Sequence, residues 1–290
     1  MEQTTTSSTN ILKLVNSTVD VPEMPEVLVR LKEATAIPDT SVGDLAKIIS
    51  ADPAVSTNIL RIINSAYYGL QARVTSVNLA VSVMGFDMTE KVALQAAVYS
   101  AFASRCEKAK NCHPTSFWRH AAYVGVAARA LAVKSEFWAD THPEDAYVAG
   151  LMHDIGKILL MESSPARYLA MWGRSAHSGQ SEVESELEEF GCTHADVGSV
   201  LAIKWSMPED LANAIRYHHD PVRDSLDRHS SSLIHLADQL AWRAQVPSVV
   251  GAHLPPLDQD AYDEIGVTPE QVDQLLPRIQ DDFAASELAC

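Results

Sequence analysis

Two adjacent side chains inside an apolar run carry the chemistry this sequence offers. Within Gly150–Leu160, GLMHDIGKILL, His153 and Asp154 interrupt residues that are otherwise nearly all apolar. Leu151, Met152, Ile155, Ile158, Leu159 and Leu160 leave almost no polar face, so the stretch reads as one central, buried helix. A lone carboxylate is costly to bury, and Asp154 therefore needs a cation, a metal or several hydrogen-bond donors. His120, His194, His218, His219 and Asp238, on other segments, are the candidates. Such residues are the usual ligands of zinc, iron or manganese, and ligands drawn from at least five helical segments suit one or two divalent ions in the core of a bundle. Neighbours on one helix stand about 100° apart, so His153 and Asp154 reach one centre only if it lies close to the helix, where the carboxylate is placed to bridge two ions. His218 and His219, at a helix end, supply one or both rings.

A centre of this kind activates a bound water and clamps a phosphoryl group, the usual route to phosphoester hydrolysis without a covalent intermediate. Lys157, three residues after Asp154 and on a similar face, is placed to neutralise a phosphate oxygen. The alternative is an ion pair of Asp154 with Lys157 or with a protonated histidine, which satisfies the carboxylate with no metal. His235 shares a face with Asp238 and is either its orienting partner or a packed ring. His113, His142, His177, His229 and His253 fall near loops or helix ends and read as surface residues.

The elements that must position these residues are helices throughout. Pro22 and Pro25 precede a helix with Val27, Leu28 and Leu31 at apolar spacing; Ser41 and Asp44 form a capping box; Asp52 and Pro53 open a third helix. Tyr67 and Tyr68 sit in a turn and read as packing residues. Gly85 ends one helix and Asp87 begins a longer one. The second half holds the histidines: a long helix over Phe117–Val133, the central stretch, an exposed acidic run from Glu182 to Glu189, a helix capped at Thr193, one ending at Tyr217–His219, and one bearing Asp238. Past Arg243 the prolines suggest a linker or wrapping segment, followed by a short helix from Pro269 to about Phe283. No alternation long enough for a strand occurs, and the fold class is all-α.

The chain of 290 residues is 47% hydrophobic and 21% charged, the balance of a globular protein with a sizeable core. A formal charge of -16, with no dense run of Lys and Arg, argues against nucleic acid as a partner. No apolar run is long enough to span a membrane, and four cysteines without disulfide spacing or signal peptide fit a cytoplasmic location.

The order His120, HDIGK at His153–Lys157, His194, the His218–His219 pair and Asp238 resembles the HD superfamily of metal-dependent phosphohydrolases. More narrowly, VPEMPEVLVRLKE, ISADPAVSTNILRIINSAYYGL, CTHADVGSVLAIKW and MPEDLANAIRYHH are similar to the HDOD family, the HD-related output domains of bacteria. The resemblance implies an N-terminal helical bundle over 11–112 packed on an HD-like bundle over 113–245, with a tail over 1–10 and a C-terminal extension over 246–290. It also implies a part in bacterial signal transduction through protein partners, in a family generally regarded as regulatory and often short of metal ligands. Here each matched ligand position holds a competent residue: His120, His153, Asp154, His194, His218, His219 and Asp238. After His219 the chain reads DPVRDSLDRHSS, without the GYP tripeptide of the related cyclic di-GMP phosphodiesterases. Two functions follow as expectations. One is a signalling module with the HD-type site kept for structure or sensing; the other is a phosphohydrolase of a nucleotide or other phosphoester, with Asp154 and Lys157 in catalysis. A helical scaffold without any small-molecule site is the third.

Overall fold

The computed structural model describes residues 11–65, 68–108, 114–135, 143–247 and 257–287. Tyr67, Cys112, His113, His142, His253 and Cys290 lie outside them, as do the side chains of Cys106 and His177. All regular elements among the described residues are helical. None of these helices is long and apolar enough to cross a membrane. The chain divides into two compact units, one of Met24–Ser104 and Leu275–Cys290, the other of Met1–Glu23 and Arg105–Gln274. Residues 11–23 therefore belong with the histidine-bearing unit, and the expected extension over 246–290 is shared between the two.

In the first unit, helices α2 (Glu26–Thr35), α3 (Val42–Ser50) and α4 (Pro53–Ile63) precede α5 (Val77–Lys108). The Ser41–Asp44 capping box forms, and Asp52 accepts from the Ala54 and Val55 N–H groups ahead of α4. Val55, Ile59 and Ile63 are the buried apolar stripe of α4, while Asn58 on the same face donates to Ser100 Oγ at 3.0 Å. Gly85 breaks α5 with φ 73°, ψ −178°, a conformation that L residues with a Cβ avoid, at the place where the sequence ends one helix and starts the next.

The second unit begins with a helix over 11–18, α1, and continues with α6 (Pro114–Lys134), α7 (Pro143–Met152), α8 (Ile155–Ser163), α9 (Pro165–Ser178) and α10 (Glu182–Phe190). It continues through α11 (His194–Lys204), α12 (Glu209–Tyr217), α13 (Arg228–Arg243), α14 (Asp260–Glu264) and the start of α15 (Pro269–Glu287). The final helix is 19 residues long, not short. Segments α14 and its flanks are packed rather than loose: Ala261 and Ile265 are fully buried, and Ser135 Oγ donates to the Ile265 carbonyl at 2.6 Å.

Two glycines of the central stretch fix the distances between its neighbours. A Cβ on Gly150 would lie 2.8 Å from the Gly125 Cα, so α7 and α6 touch backbone to backbone. A Cβ on Gly156 would overlap the His194 carbonyl oxygen and lie 2.8 Å from its carbon, so α8 meets the first turn of α11 just as closely. The motif GLMHDIGK thus draws two histidine-bearing helices onto the residues between its glycines.

The stretch is not one helix, as its apolar run suggests. His153 and Asp154 form a turn between α7 and α8, with Asp154 at φ −97°, ψ 1°. In a continuous helix the Gly150 carbonyl would serve the Asp154 N–H; here it accepts from His153 Nδ1 at 2.7 Å. The Asp154 carbonyl accepts from Lys157 N at 2.9 Å, restarting the helix, and its carboxylate is left to point elsewhere than the cap.

Candidate metal centre

Four imidazole rings are fixed by the partner of their Nδ1. His120 Nδ1 donates to the Val246 carbonyl, His153 Nδ1 to Gly150, and His218 Nδ1 to Ile215, each at 2.7 Å. His194 Nδ1 donates to Glu186 Oε2, also at 2.7 Å. A carbonyl or carboxylate can only accept, so these contacts place a proton on Nδ1 and leave Nε2 as the atom a metal could take. The Nε2 atoms converge: His120 and His153 lie 3.3 Å apart, and His194 and His219 3.0 Å apart.

The carboxylates divide the rings into two sets. Asp154 Oδ2 lies 3.7 Å from His120 Nε2 and 3.4 Å from His153 Nε2. Its Oδ1 lies 3.2 Å from His194 Nε2 and 3.9 Å from His218 Nε2. Asp238 Oδ1 completes the first set, 3.2 Å from His120 Nε2 and 3.9 Å from His153 Nε2. The structure therefore brings together all seven residues expected as ligands, as His120–His153–Asp238 and Asp154–His194–His218–His219, with one Asp154 oxygen facing each set. They come from α6, the α7–α8 turn, α11, the end of α12, and α13. His120, His153, Asp154, His194, His218 and Asp238 are all 3% exposed or less. His219 is half-buried.

The electrostatics call for positive charge. Asp154, Asp238, Glu182 and Glu186 are four buried carboxylates, and Lys157, in contact with Asp154 and Glu182, is the one buried ammonium among the described residues. Burial alone would raise Asp154, but His153 and Lys157 override it and hold the carboxyl well below its usual range. Burial opposes ionisation of Asp238 too, and the His120 contact brings it down to about 2. Burial works against a charged His194, yet the Glu186 carboxylate pushes it up to about 10. His153 is raised, against its burial, by Asp154. Burial, reinforced by neighbouring rings, keeps His218 and His219 well below the ordinary imidazole value.

These atoms fit a cation. His218 Nε2, Asp154 Oδ1 and Asp238 Oδ1 are buried without a hydrogen-bond partner. For His218, a ring held neutral with its proton on Nδ1, a proton on Nε2 is disfavoured and a metal ion is the natural occupant.

Lys157 is spoken for. Its Nζ lies 2.7 Å from Asp154 Oδ2 and 2.8 Å from Glu182 Oε2, and the side chain is 3% exposed. His235 does not orient Asp238: its Nε2 accepts from the Asp258 N–H at 3.0 Å and its Nδ1 donates to the His218 carbonyl at 2.7 Å. His229 is partly exposed.

The residues that sequence reasoning passes over stand behind the ligands. The acidic run is not uniformly exposed, because Glu182 and Glu186, four apart on α10, face inward and are 6% and 0% exposed. Glu186 Oε2 accepts from both the His194 backbone N–H and its ring. Tyr168 donates to Glu182 Oε1 at 3.0 Å. The four-residue spacing of the two glutamates was the available signal, but Glu184 and Glu188 share it, and of these Glu184 completes the capping box with Ser181.

The helical unit gathers five imidazoles and two carboxylates from separate segments, groups of a kind that could hold a metal ion in the core of a bundle. The HDOD domain model matches residues 21–221, and the chain belongs to that family. Asp238 and the Val246 carbonyl lie beyond the matched range. The structure is similar to that of an HDOD domain protein of unknown function from Geobacter sulfurreducens, with a TM-score of 0.79 and 21% identity, covering 97% of this chain and 98% of that one. It is also similar to a protein from Marinobacter aquaeolei VT8, named provisionally for signal transduction, with a TM-score of 0.73 and 23% identity over 98% of this chain and 65% of that one. An uncharacterized protein of Treponema pallidum (strain Nichols) is 28% identical over 203 residues, 69% of this chain and 38% of the relative. The chain thus spans well under half the length of that curated relative.

Proposed function

We propose that this chain is a bacterial signal-transduction module that acts through contact with protein partners, and that its HD-type centre holds one or two divalent cations as a structural or sensing site. Enclosure carries this reading. Six of the seven ligand residues are within 3% of complete burial, and Lys157 is engaged by Asp154 and Glu182 rather than turned to a substrate. A closed ligand set is the mark of a structural site, whereas a catalytic one keeps a position open. The role in signalling given in the name of the Marinobacter protein fits the same reading.

Hydrolysis of a phosphoester is the second reading, and one observation favours it: Asp154 presents one oxygen to each ligand set. Two cations bound so would supply Lewis acidity and water activation to a phosphoester. The residues' own part is to hold them, with Asp238 and Asp154 giving charge and the Nδ1 contacts aiming each ring. The test is turnover of a panel of nucleotide and model phosphoesters by protein loaded with Mn2+, Fe2+ or Zn2+. The regulatory reading expects no turnover above that of an Asp154→Asn variant. Hydrolysis by the loaded protein that the variant lacks would give the site to catalysis.

A further inference from the structure

Of the four candidate ligand rings with a fixed Nδ1, three rest on backbone carbonyls and one, His194, rests on a carboxylate. Glu186 Oε2 accepts from the His194 ring and from its backbone N–H, both at 2.7 Å. That N–H is the first of α11, one of the donors a helix leaves without an internal partner. The other oxygen, Oε1, is buried without a hydrogen-bond partner, so the hydrogen bonding of this side chain is spent on one residue. Glu182, one turn earlier on α10, is engaged differently, by Lys157 and Tyr168. Gly156 brings the His194 backbone against α8, which leaves the ring's direction as the remaining freedom, and Glu186 removes it.

We propose that Glu186 is a positioning residue of the centre: it fixes the direction, tautomer and basicity of His194, and so sets the cation affinity of the Asp154–His194–His218–His219 set without ligating the ion. A carboxylate behind a ligating imidazole strengthens its donation more than a neutral carbonyl does. The two sets are therefore unequal in what Glu186 contributes: one depends on α10 and the other, whose rings rest on Gly150 and Val246, does not. This inference rests on the cation-binding reading above.

The test is titration of tag-free, chelator-treated protein with Co2+, followed by its visible spectrum, for the wild type and Glu186→Gln. Glutamine retains an acceptor for both N–H groups and loses the charge. The wild type is expected to take up two Co2+ per chain, and E186Q to bind one of them about 10–100-fold more weakly while the other is unchanged. Equal binding of both ions by E186Q overturns the positioning role alone. A wild type that binds no Co2+ overturns the cation reading itself, and this role with it. Should E186Q not fold, the histidine 15N spectrum of Zn2+-loaded wild type decides: a proton retained on His194 Nδ1 supports the proposal, and its loss contradicts it.

Discussion

His218 and His194 show how differently two rings in one cluster can be treated. His218 is fully buried, has its Nδ1 proton committed to the Ile215 carbonyl, and is held neutral by burial and by neighbouring rings. His194 lies between Glu186 and Asp154, and the Glu186 carboxylate holds a proton on it up to pH about 10. Without an ion, the proton on His194 offsets part of the buried negative charge, and a cation must displace it from Nε2. Cation affinity is therefore expected to be weaker at pH 6 than at pH 8, by competition with protons. The same shift has a sign for stability. The folded-state pKa of His194 is raised from 6.5 to about 10, so its contribution is fully present below pH 6.5 and is lost as pH rises through 10. Chelator-treated protein should show a melting temperature that falls between those values. A melting temperature flat across that window would contradict the assignment of His194 as a charged ring in the ion-free protein. Asp238 acts at the other end: lowered from 3.8 to about 2, it stabilises above pH 3.8, and that stability is lost as pH falls through 2.

Among the elements, α8 is the one with least tolerance. Its Gly156 faces backbone, not the movable end of a side chain, so a methyl group there has nothing flexible to displace. Gly156→Ala is expected to destabilise the fold by about 3 kcal/mol or more, at or beyond the upper end of ordinary overpacking. The midpoint of urea denaturation measures this, and a loss under about 1 kcal/mol would show that α8 and α11 can part without cost. The elements were readable from the sequence where local signals decide them: the Ser41–Asp44 and Thr193–Asp196 boxes, Asp52 before Pro53, and the break at Gly85. The turn at His153–Asp154 was not, because a ring N–H replaces a backbone donor and apolar periodicity does not register that exchange. The inward side of α10 was hidden for a related reason. Glu182 and Glu186 are buried by what α10 packs against, Lys157 and His194, and those partners are distant in sequence.

For the molecule as a whole, the clustering of the seven candidate ligands was the most readable feature, since a carboxylate and ring inside an apolar run require partners and, among the described residues, His235 is the one other buried histidine. The pairing was not readable: which oxygen of Asp154 faces which rings follows from where five segments converge. For Lys157 the sequence allows a group for phosphate or an ion pair with Asp154; its Nζ contacts Asp154 and, from a segment distant in sequence, Glu182. The centre lies in the unit of Met1–Glu23 and Arg105–Gln274, within a chain that belongs to the HDOD family. The most direct measurement of cation binding at that centre is elemental analysis of protein purified without a histidine tag or chelator, beside Asp154→Ala. One or two equivalents of iron, manganese or zinc per chain in the wild type, absent from a variant that remains helical, is the predicted result. No metal in either protein, with reconstitution also failing, would contradict it.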